Sequence, residues 1–203
     1  RHQLMVNVYQ AERSQQVFCV IDKGRVMQRA FAGMTLLDYA VNASLVLSYV
    51  AIHKADQAGL ITFNERMDTL LMPSRRPAQM ERIMESLYAV RTDFGETDYS
   101  ALVAGVEQRV SKRSLLILFT NFTDGQSLDR QLPYLCQVAR RHRLLVVYFE
   151  NSALHDYLGP RPHSTEDYYT HVVAQQMERS QQLIVSRLAQ RGILSLRTTP
   201  DRL

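Results

Sequence analysis

The sequence predicts an α/β protein with a doubly wound, mostly parallel six-stranded sheet, an antiparallel edge hairpin and helices on both faces. Short apolar runs without polar alternation, typical of strands buried on both sides, alternate along the chain with longer segments of helical periodicity. Two of these runs are separated only by the turn at Asn64–Arg66, which favours a hairpin at one edge of the sheet. The order of the runs therefore indicates one layered domain.

The individual elements follow from local patterns. Strands are expected at Val17–Asp22, Leu60–Phe63, Met67–Met72, Ser114–Thr120, Leu144–Phe149 and Ile193–Arg197, with a further short strand at Leu4–Tyr9. Helices are expected at Met34–Lys54, around Met80–Leu87, at Tyr99–Val110, at Leu128–Arg141, and from a capping box at Ser164–Asp167 to about Gln190. We expect residues 1–16 to be a lead-in segment and residues 17–203 to form the domain.

Several of these patterns also predict which side chains are buried. The helix at Met34–Lys54 is apolar on most of its faces and is expected to be heavily buried, with Leu37, Val41, Leu45 and Ile52 in the core. In the next helix Met80, Ile83, Met84 and Leu87 share one face. Pro73 and Pro77 are expected to end the hairpin.

Composition narrows the class of protein. Of the 203 residues, 46% are hydrophobic and 22% are charged, which is typical of a folded domain. The net charge of +4 comes from short basic runs at predicted helix ends, and without interleaved aromatic residues these do not indicate nucleic-acid binding. Two cysteines give neither a disulfide framework nor a zinc site and favour a reducing compartment.

No membrane span is expected within the chain, because no apolar run approaches about 18 residues. The sequence begins with Arg1 rather than methionine, so we expect it to be a portion of a longer protein. Any membrane anchor would lie in the upstream part.

Polar side chains follow several of the predicted parallel strands. The loops Asp22–Arg25, Gly95–Asp98 and Thr120–Asp124 should converge on the crevice at the carboxyl ends of the strands, where open α/β sheets bind ligands. Asp22, Thr97, Asn121 and Asp124 would then lie in one cluster. Such oxygen ligands suit hard divalent cations, with water completing an octahedron around magnesium.

Motifs for the common enzyme classes are missing from the sequence. Only Gly24 follows the first buried strand, so there is no dinucleotide-binding glycine pattern, and no phosphate-binding Walker A sequence occurs. An aspartyl-nucleophile phosphatase would need a second carboxylate where Gly24 stands. The six histidines lack metal-ligand spacing, and no serine lies in a nucleophile-elbow sequence. The sequence therefore predicts a protein that is not an enzyme.

The chain resembles a von Willebrand factor A-like domain, and in particular the bacterial DUF58 family (domain of unknown function fifty-eight). The resemblance spans about residues 4–150 and rests on the joint order of several segments. These are Leu4–Val6, the turn at Asp22, Leu37–Ala40, Gly59–Phe63, Ile83–Tyr88, Thr97–Asp98 and Leu116–Phe122.

The resemblance implies a metal-ion-dependent adhesion site, in which an Asp-x-Ser-x-Ser turn, a distant threonine and a later aspartate hold magnesium. Asp22 and Thr97 keep two of these positions, whereas Gly24, Val26 and Asn121 stand at the other three. We therefore expect a degenerate site without a cofactor or metal. If a magnesium ion does bind, its ligands are expected to be Asp22, Thr97 and Asp124.

The turn after Asp22 carries two cations, Lys23 and Arg25. A cation within a few ångströms would stabilise a partly buried carboxylate much as a metal ion would. An equally open alternative is that both side chains face solvent.

The resemblance also implies a function. We expect a non-catalytic protein–protein interaction module, part of a membrane-associated protein that acts with a MoxR-type AAA ATPase in complex assembly or maturation at the cytoplasmic face of the bacterial membrane. The expected docking residues are Asp22, Lys23, Gly24, Arg25, Thr97, Asn121 and Asp124. Two alternatives stay open: a magnesium-dependent adhesion-type domain with Asp124 replacing Asn121, and a small phosphoryl-transfer enzyme using Asp22.

Overall fold

The computed structural model describes residues 14–92, 95–122, 124–149 and 165–199. Its strands are β1 (Gln16–Asp22), β2 (Ala30–Phe31), β3 (Met34–Thr35), β4 (Gln57–Phe63), β5 (Met67–Ser74), β6 (Leu115–Thr120), β7 (Arg143–Phe149) and β8 (Leu194–Thr198). Its helices are α1 (Leu36–His53), α2 (Ala78–Tyr88), α3 (Tyr99–Arg109), α4 (Gly125–Arg141) and α5 (Thr165–Gln190), and a short 3₁₀ turn spans Arg25–Gln28.

Six of these strands form one sheet in the order β5-β4-β1-β6-β7-β8. Only the β4–β5 pair is antiparallel, so the predicted fold class and its edge hairpin are confirmed. The strand β1 lies in the middle, between β4 and β6, because its side chains are apolar on both faces. Its last residue, Asp22, is thereby placed at the centre of the carboxyl edge of the sheet.

Two apolar cores cover the two faces of the sheet. On one face Phe18 and Val20 of β1 pack with apolar side chains from α3, α4 and α5. On the other face Cys19 and Ile21 pack with side chains from α1 and α2. The alternation of side chains along β1 therefore divides a continuous apolar run between two layers.

The helix α1 is less buried than its composition suggests. Its contact with β1 and β4 runs along a strip of small residues that includes Ala40, Ser44 and Ser48, while Val46 and Tyr49 are exposed. Among the described helices it is the one long and apolar enough to span a membrane by length and composition. In this fold it packs on one face of a sheet, so its opposite face stays open; the expectation of heavy burial on most faces was wrong.

Other differences from the sequence prediction are local. Residues Met34–Thr35 form β3 rather than the first turn of α1, because Thr35 caps that helix by accepting the Asp38 N–H at 3.1 Å. Pro73 lies inside β5, which tolerates a missing N–H because it is an edge strand. In α2 the side chain of Met84 is exposed, and Gln79 is buried instead.

The remaining element boundaries agree with the prediction within a few residues. The last helix ends at Gln190, and Gly192 follows it with a φ of 71°, a left-handed conformation that glycine adopts at helix ends. The predicted strand at Leu4–Tyr9 and the start of the capping box at Ser164 lie outside the described residues. The division into a lead-in at 1–16 and a domain at 17–203 stays a prediction.

Candidate functional site

Asp22 forms the floor of a crevice at the carboxyl edge of the sheet. The parallel register of β1 and β6 pairs Ile21 with Phe119, so the next residues, Asp22 and Thr120, lie side by side. Asp22 is fully buried. A buried carboxylate is costly unless hydrogen bonds satisfy it, and the partners of Asp22 therefore decide what this crevice can bind.

Three neutral donors surround the Asp22 carboxylate. Oδ1 accepts the Thr97 hydroxyl at 2.6 Å and the Gly24 backbone N–H at 2.8 Å. Oδ2 accepts the Thr120 hydroxyl at 2.7 Å. The Tyr99 hydroxyl lies 2.7 Å from the Thr120 hydroxyl and continues the network toward α3. We call Asp22, Gly24, Thr97, Tyr99 and Thr120 the hydroxyl ring.

Burial raises the pKa of Asp22, and the hydrogen bonds from Thr97, Thr120 and Gly24 oppose this effect without cancelling it. Burial also raises the pKa of Tyr99 well above its ordinary value, with a further contribution from the neighbouring Asp22 charge. Burial thus shifts both the carboxyl and the phenol toward their neutral forms, whereas the hydrogen bonds of the ring stabilise the Asp22 carboxylate.

Gly24 and Thr97 depend on each other sterically. A Cβ atom added to Gly24 would overlap the Thr97 hydroxyl oxygen and would approach Asp22 Oδ1 to 3.0 Å. The Thr97 hydroxyl thus occupies the space that any side chain at position 24 would need. A backbone hydrogen bond also joins the two segments that carry these residues, because the Arg25 N–H donates to the Gly95 carbonyl at 2.9 Å.

Neither cation of the turn contacts Asp22. Lys23 is mostly buried and forms an ion pair with Asp68 of β5, while Arg25 is 68% exposed and lies 3.4 Å from Glu96. The hypothesis that Lys23 or Arg25 neutralises Asp22 is therefore not what the structure shows. Lys23 points away because its backbone N–H bonds to Phe63 of β4, which directs the residue toward the hairpin.

The crevice above the ring has a volume of about 140 Å³. The predicted residues Asp22, Arg25, Thr97 and Asn121 all line it, together with Glu96, Tyr99, Phe122 and Arg130. Asp124 lies instead at an adjoining cleft, where its side chain caps α4 by accepting the Ser127 N–H at 2.7 Å. The structure thus brings four of the predicted residues to one crevice and directs Lys23 and Asp124 to other contacts.

Residues 1–154 match the model of a family described as "Protein of unknown function DUF58". The chain belongs to the DUF58 family. No curated protein matches the chain. The resemblance drawn from the sequence is therefore confirmed at the level of the family.

Solved structures with a fold similar to that of this DUF58 domain share little sequence identity with it. It is similar to the conserved hypothetical protein BatB from Bacteroides thetaiotaomicron, with 14% identity, 67% of each chain covered and a TM-score of 0.50. PilB minor pilin from Streptococcus sanguinis has 10% identity and a TM-score of 0.56, over 94% of this chain and 58% of the pilin. The SpRpn10 VWA domain has 13% identity and a TM-score of 0.45, over 70% of this chain and 79% of that domain.

The donor set of this DUF58 domain does not fit the divalent metal that the adhesion-site fold implies. Gly24 has no hydroxyl, and both oxygens of Asp22 already accept hydrogen bonds from threonine hydroxyls that would otherwise be ligands. The Asp124 side chain is occupied by the α4 cap. Within the described ranges no group of three or more histidine, cysteine, aspartate or glutamate side chains could hold a metal ion. Magnesium prefers several oxygen ligands, which these residues do not supply together.

Sequence reasoning missed Thr120 and Tyr99 of the ring and Arg130 at its mouth. Thr120 could have been found by aligning the ends of adjacent parallel strands, since it follows an apolar run of nearly the same length as the one before Asp22. Tyr99 resembles an ordinary core residue of an amphipathic helix. Arg130 has no sequence signal, because its position depends on where α4 crosses the sheet.

Proposed function

We propose that this domain is a non-catalytic protein–protein interaction module that docks its partner at the Asp22 crevice without a divalent ion. Of the expected docking residues Asp22, Lys23, Gly24, Arg25, Thr97, Asn121 and Asp124, the four that line the crevice are Asp22, Arg25, Thr97 and Asn121, and we add Arg130 to them. The partner presents a carboxylate to the guanidinium groups of Arg25 and Arg130, since arginine binds carboxylates through charge-assisted hydrogen bonds.

The charge at the mouth of the crevice is the observation that carries this proposal. Arg25 and Arg130 line the crevice with Glu96 as the acidic side chain beside them, and both arginines are exposed. The exposed Arg25–Glu96 contact at 3.4 Å is weak, so an incoming carboxylate competes with it easily. Asp22 is fully buried and already accepts three hydrogen bonds, so the exposed charges at the mouth are the ones that a partner meets.

The same ring argues against catalysis by Asp22. Its carboxylate is fully buried and held by three hydrogen bonds, so it lacks the access that a nucleophile in phosphoryl transfer requires. Gly24 stands where a second carboxylate would be needed. Binding at the crevice is therefore the role that its residues support best.

The wider setting of the module is part of the proposal. We propose that the full-length protein is membrane-associated through segments outside this chain, lies at the cytoplasmic face, and acts with a MoxR-type AAA ATPase in the assembly or maturation of a protein complex. This setting is supported by the resemblance to the DUF58 family, and no nucleic acid takes part in it.

Binding to the MoxR-type ATPase encoded in the same genome tests the proposal. Arg25→Glu and Arg130→Glu should each weaken binding roughly tenfold or more, because each replaces an attraction to a carboxylate with a repulsion. The matched control is Arg82→Glu on α2, an exposed helical arginine outside the crevice, which should leave binding unchanged. Biolayer interferometry with the full chain immobilised measures all three.

Metal dependence separates this proposal from its alternatives. Affinity should be the same in EDTA and in excess magnesium or manganese. Binding that needs the divalent ion would favour an adhesion-type site with a shifted ligand set. If Arg25→Glu and Arg130→Glu bind as strongly as the unchanged chain, the crevice is not the docking surface. Hydrolysis of a generic phosphate ester that Asp22→Asn abolishes would support a phosphoryl-transfer enzyme.

A further inference from the structure

A second cleft adjoins the Asp22 crevice and shares two of its walls. It has a volume of about 240 Å³ and lies between the ends of β6 and β7 and the helix α5. Asn121 and Phe122 line both cavities. The other walls of this second cleft are Phe149, Val173 and Met177, with Arg29 and Asp124 at polar positions. The two cavities therefore form one continuous surface across the carboxyl edge of the sheet.

The helix α5 extends this surface beyond the sheet. Its 26 residues span about 39 Å, whereas a seven-residue strand such as β7 spans about 23 Å. Val173 lines the cleft with Phe149, the last residue of β7, so the part of α5 that precedes Val173 projects past the strand ends. This part carries two exposed aromatic side chains, Tyr168 and Tyr169, among polar residues, and Tyr169 is 73% exposed.

A polar atom in the cleft indicates what kind of molecule fits there. The Gln181 side chain lines the cleft, and its Oε1 atom is buried with no hydrogen-bond partner among the described residues. A buried acceptor without a donor destabilises the site, and a ligand that supplies a donor relieves this cost. A peptide supplies backbone N–H donors along its length, whereas a lipid chain supplies none.

The size and charge of the two cavities also favour a peptide as the bound molecule. Neither reaches the roughly 300 Å³ at which small-molecule pockets begin, but each is large enough for a side chain. The crevice is cationic at Arg25 and Arg130, and Arg29 adds a third cation at the cleft. One cavity thus suits an acidic side chain and the other an apolar one.

We propose that the crevice and the cleft bind one extended segment of the partner, in which an acidic residue is followed closely by a large apolar residue. The carboxylate contacts Arg25 and Arg130, the apolar side chain enters between Phe122 and Met177, and a backbone N–H of the segment donates to Gln181. This inference rests on the proposed docking function and adds the recognition element that the partner must carry.

Three blocked tetrapeptides test the two cavities separately. The first is acetyl-Ala-Asp-Leu-Ala-amide; the second replaces its leucine with alanine, and the third replaces its aspartate with asparagine. Each is titrated to about 10 mM, beyond the millimolar dissociation constants expected of weak short ligands, into the full chain with labelled methionine methyl groups and arginine side chains. Met177 reports on the cleft, and exposed Met84 on α2 is the internal control.

The Asp-Leu peptide should shift the Met177 methyl and the Arg25 and Arg130 signals while leaving Met84 unchanged. It should bind roughly tenfold more tightly than the Asp-Ala peptide, the factor expected from partial burial of a leucine side chain. Met177→Gln should remove this advantage and leave Asp-Ala binding unchanged. Val173→Gln is a second variant at an exposed position, and thermal unfolding checks that both fold.

Each other outcome has a defined meaning. Equal binding of both acidic peptides without a Met177 shift overturns this inference but leaves the docking function standing. Binding of the Asn-Leu peptide as tightly as the Asp-Leu peptide overturns the acidic requirement, and no shift at Arg25 or Met177 with any peptide overturns the inference as well. A dimer in sedimentation that Met177→Gln dissociates would assign the cleft to a second copy of the chain and would also overturn it.

Discussion

Asp22 and Asp68 lie at the same end of the sheet, and Lys23 connects them, being next to Asp22 in sequence and paired with Asp68 in space. Asp22 is fully buried and accepts hydrogen bonds from neutral donors, so burial raises its pKa. Burial also acts to raise the pKa of Asp68, but the hydrogen bond and charge of Lys23, helped by Arg66, outweigh it and lower that pKa. Burial thus shifts one carboxyl toward its neutral form, whereas the neighbouring cations shift the other toward its charged form.

The difference shows how a single lysine determines the electrostatics of the crevice. Because Lys23 pairs with Asp68 on the hairpin, the Asp22 carboxyl is left to hydroxyl donors and becomes part of the scaffold. The exposed arginines at the mouth then dominate the field that a partner meets. The crevice thus combines a hydroxyl ring at its floor with two exposed arginines at its mouth.

The largest expected effect comes from removing the Asp22 acceptor. Asp22→Ala should lower the free energy of unfolding by roughly 3 to 5 kcal/mol, because the buried Thr97, Thr120 and Gly24 donors all lose their partner. Urea unfolding at neutral pH measures the loss. A loss below about 1 kcal/mol, within the range of ordinary surface changes, would mean that the ring does not support the fold.

The steric dependence of Gly24 on Thr97 gives the next largest effect. Gly24→Ser should destabilise the domain by about 1 to 3 kcal/mol, because its Cβ overlaps the Thr97 hydroxyl. Adding Thr97→Ala should recover much of this loss, since the smaller side chain frees the space. Gly125→Ala is the matched control, because its Cβ would meet only the flexible Arg187 side chain at 3.4 Å. Additive effects of the two substitutions in thermal unfolding would refute the steric coupling.

Converting each aspartate to asparagine should change stability in opposite directions. For Asp22 the raised pKa means that its contribution is present below the ordinary value near 4 and is lost as pH rises through the raised value, so Asp22→Asn should stabilise the domain increasingly as pH rises above that ordinary value. For Asp68 the lowered pKa means that its contribution is present above about pH 4 and is lost in acid. Asp68→Asn should therefore destabilise the domain by about 1 kcal/mol at pH 7.

Unfolding by urea at several pH values checks both variants. The amide at position 22 keeps one acceptor oxygen, for Thr97 and Gly24, and replaces the other with an N–H donor facing Thr120. The change of its effect with pH, rather than its size at one pH, therefore isolates the charge. If both variants gave the same sign at pH 7, the contrast between the two carboxyls would be wrong.

The smallest effect is expected at the exposed ion pair of the crevice mouth. Arg25→Met should change the free energy of unfolding by less than about 0.5 kcal/mol, because its contact with Glu96 is exposed and screened by solvent. Lys23→Met, at the mostly buried pair, should cost about 1 kcal/mol and is the comparison. A larger loss for Arg25→Met than for Lys23→Met would assign Arg25 a structural role instead of a docking role.

Much of the fold could be predicted because it depends on local patterns. The apolar run before Asp22 indicates a strand covered on both faces, and the turn at Asn64–Arg66 indicates the edge hairpin. The burial of α1 was overestimated because composition does not reveal that the helix packs on one face of a sheet and leaves Tyr49 exposed. In α2 the exposure of Met84 and the burial of Gln79 likewise depend on the neighbouring strand β4, since Gln79 donates to the Ala58 carbonyl of that strand at 2.8 Å.

The sequence by itself determined the α/β class, the order of the strands along the chain, and the family to which the chain belongs. It also predicted that Asp22, Thr97 and Asn121 meet in one crevice. Only the tertiary structure decided that Lys23 pairs with Asp68, that Thr97 and Thr120 close on Asp22, and that Asp124 caps α4. These contacts join residues as far as 98 positions apart, and they depend on strand register and helix placement, which local periodicity does not encode.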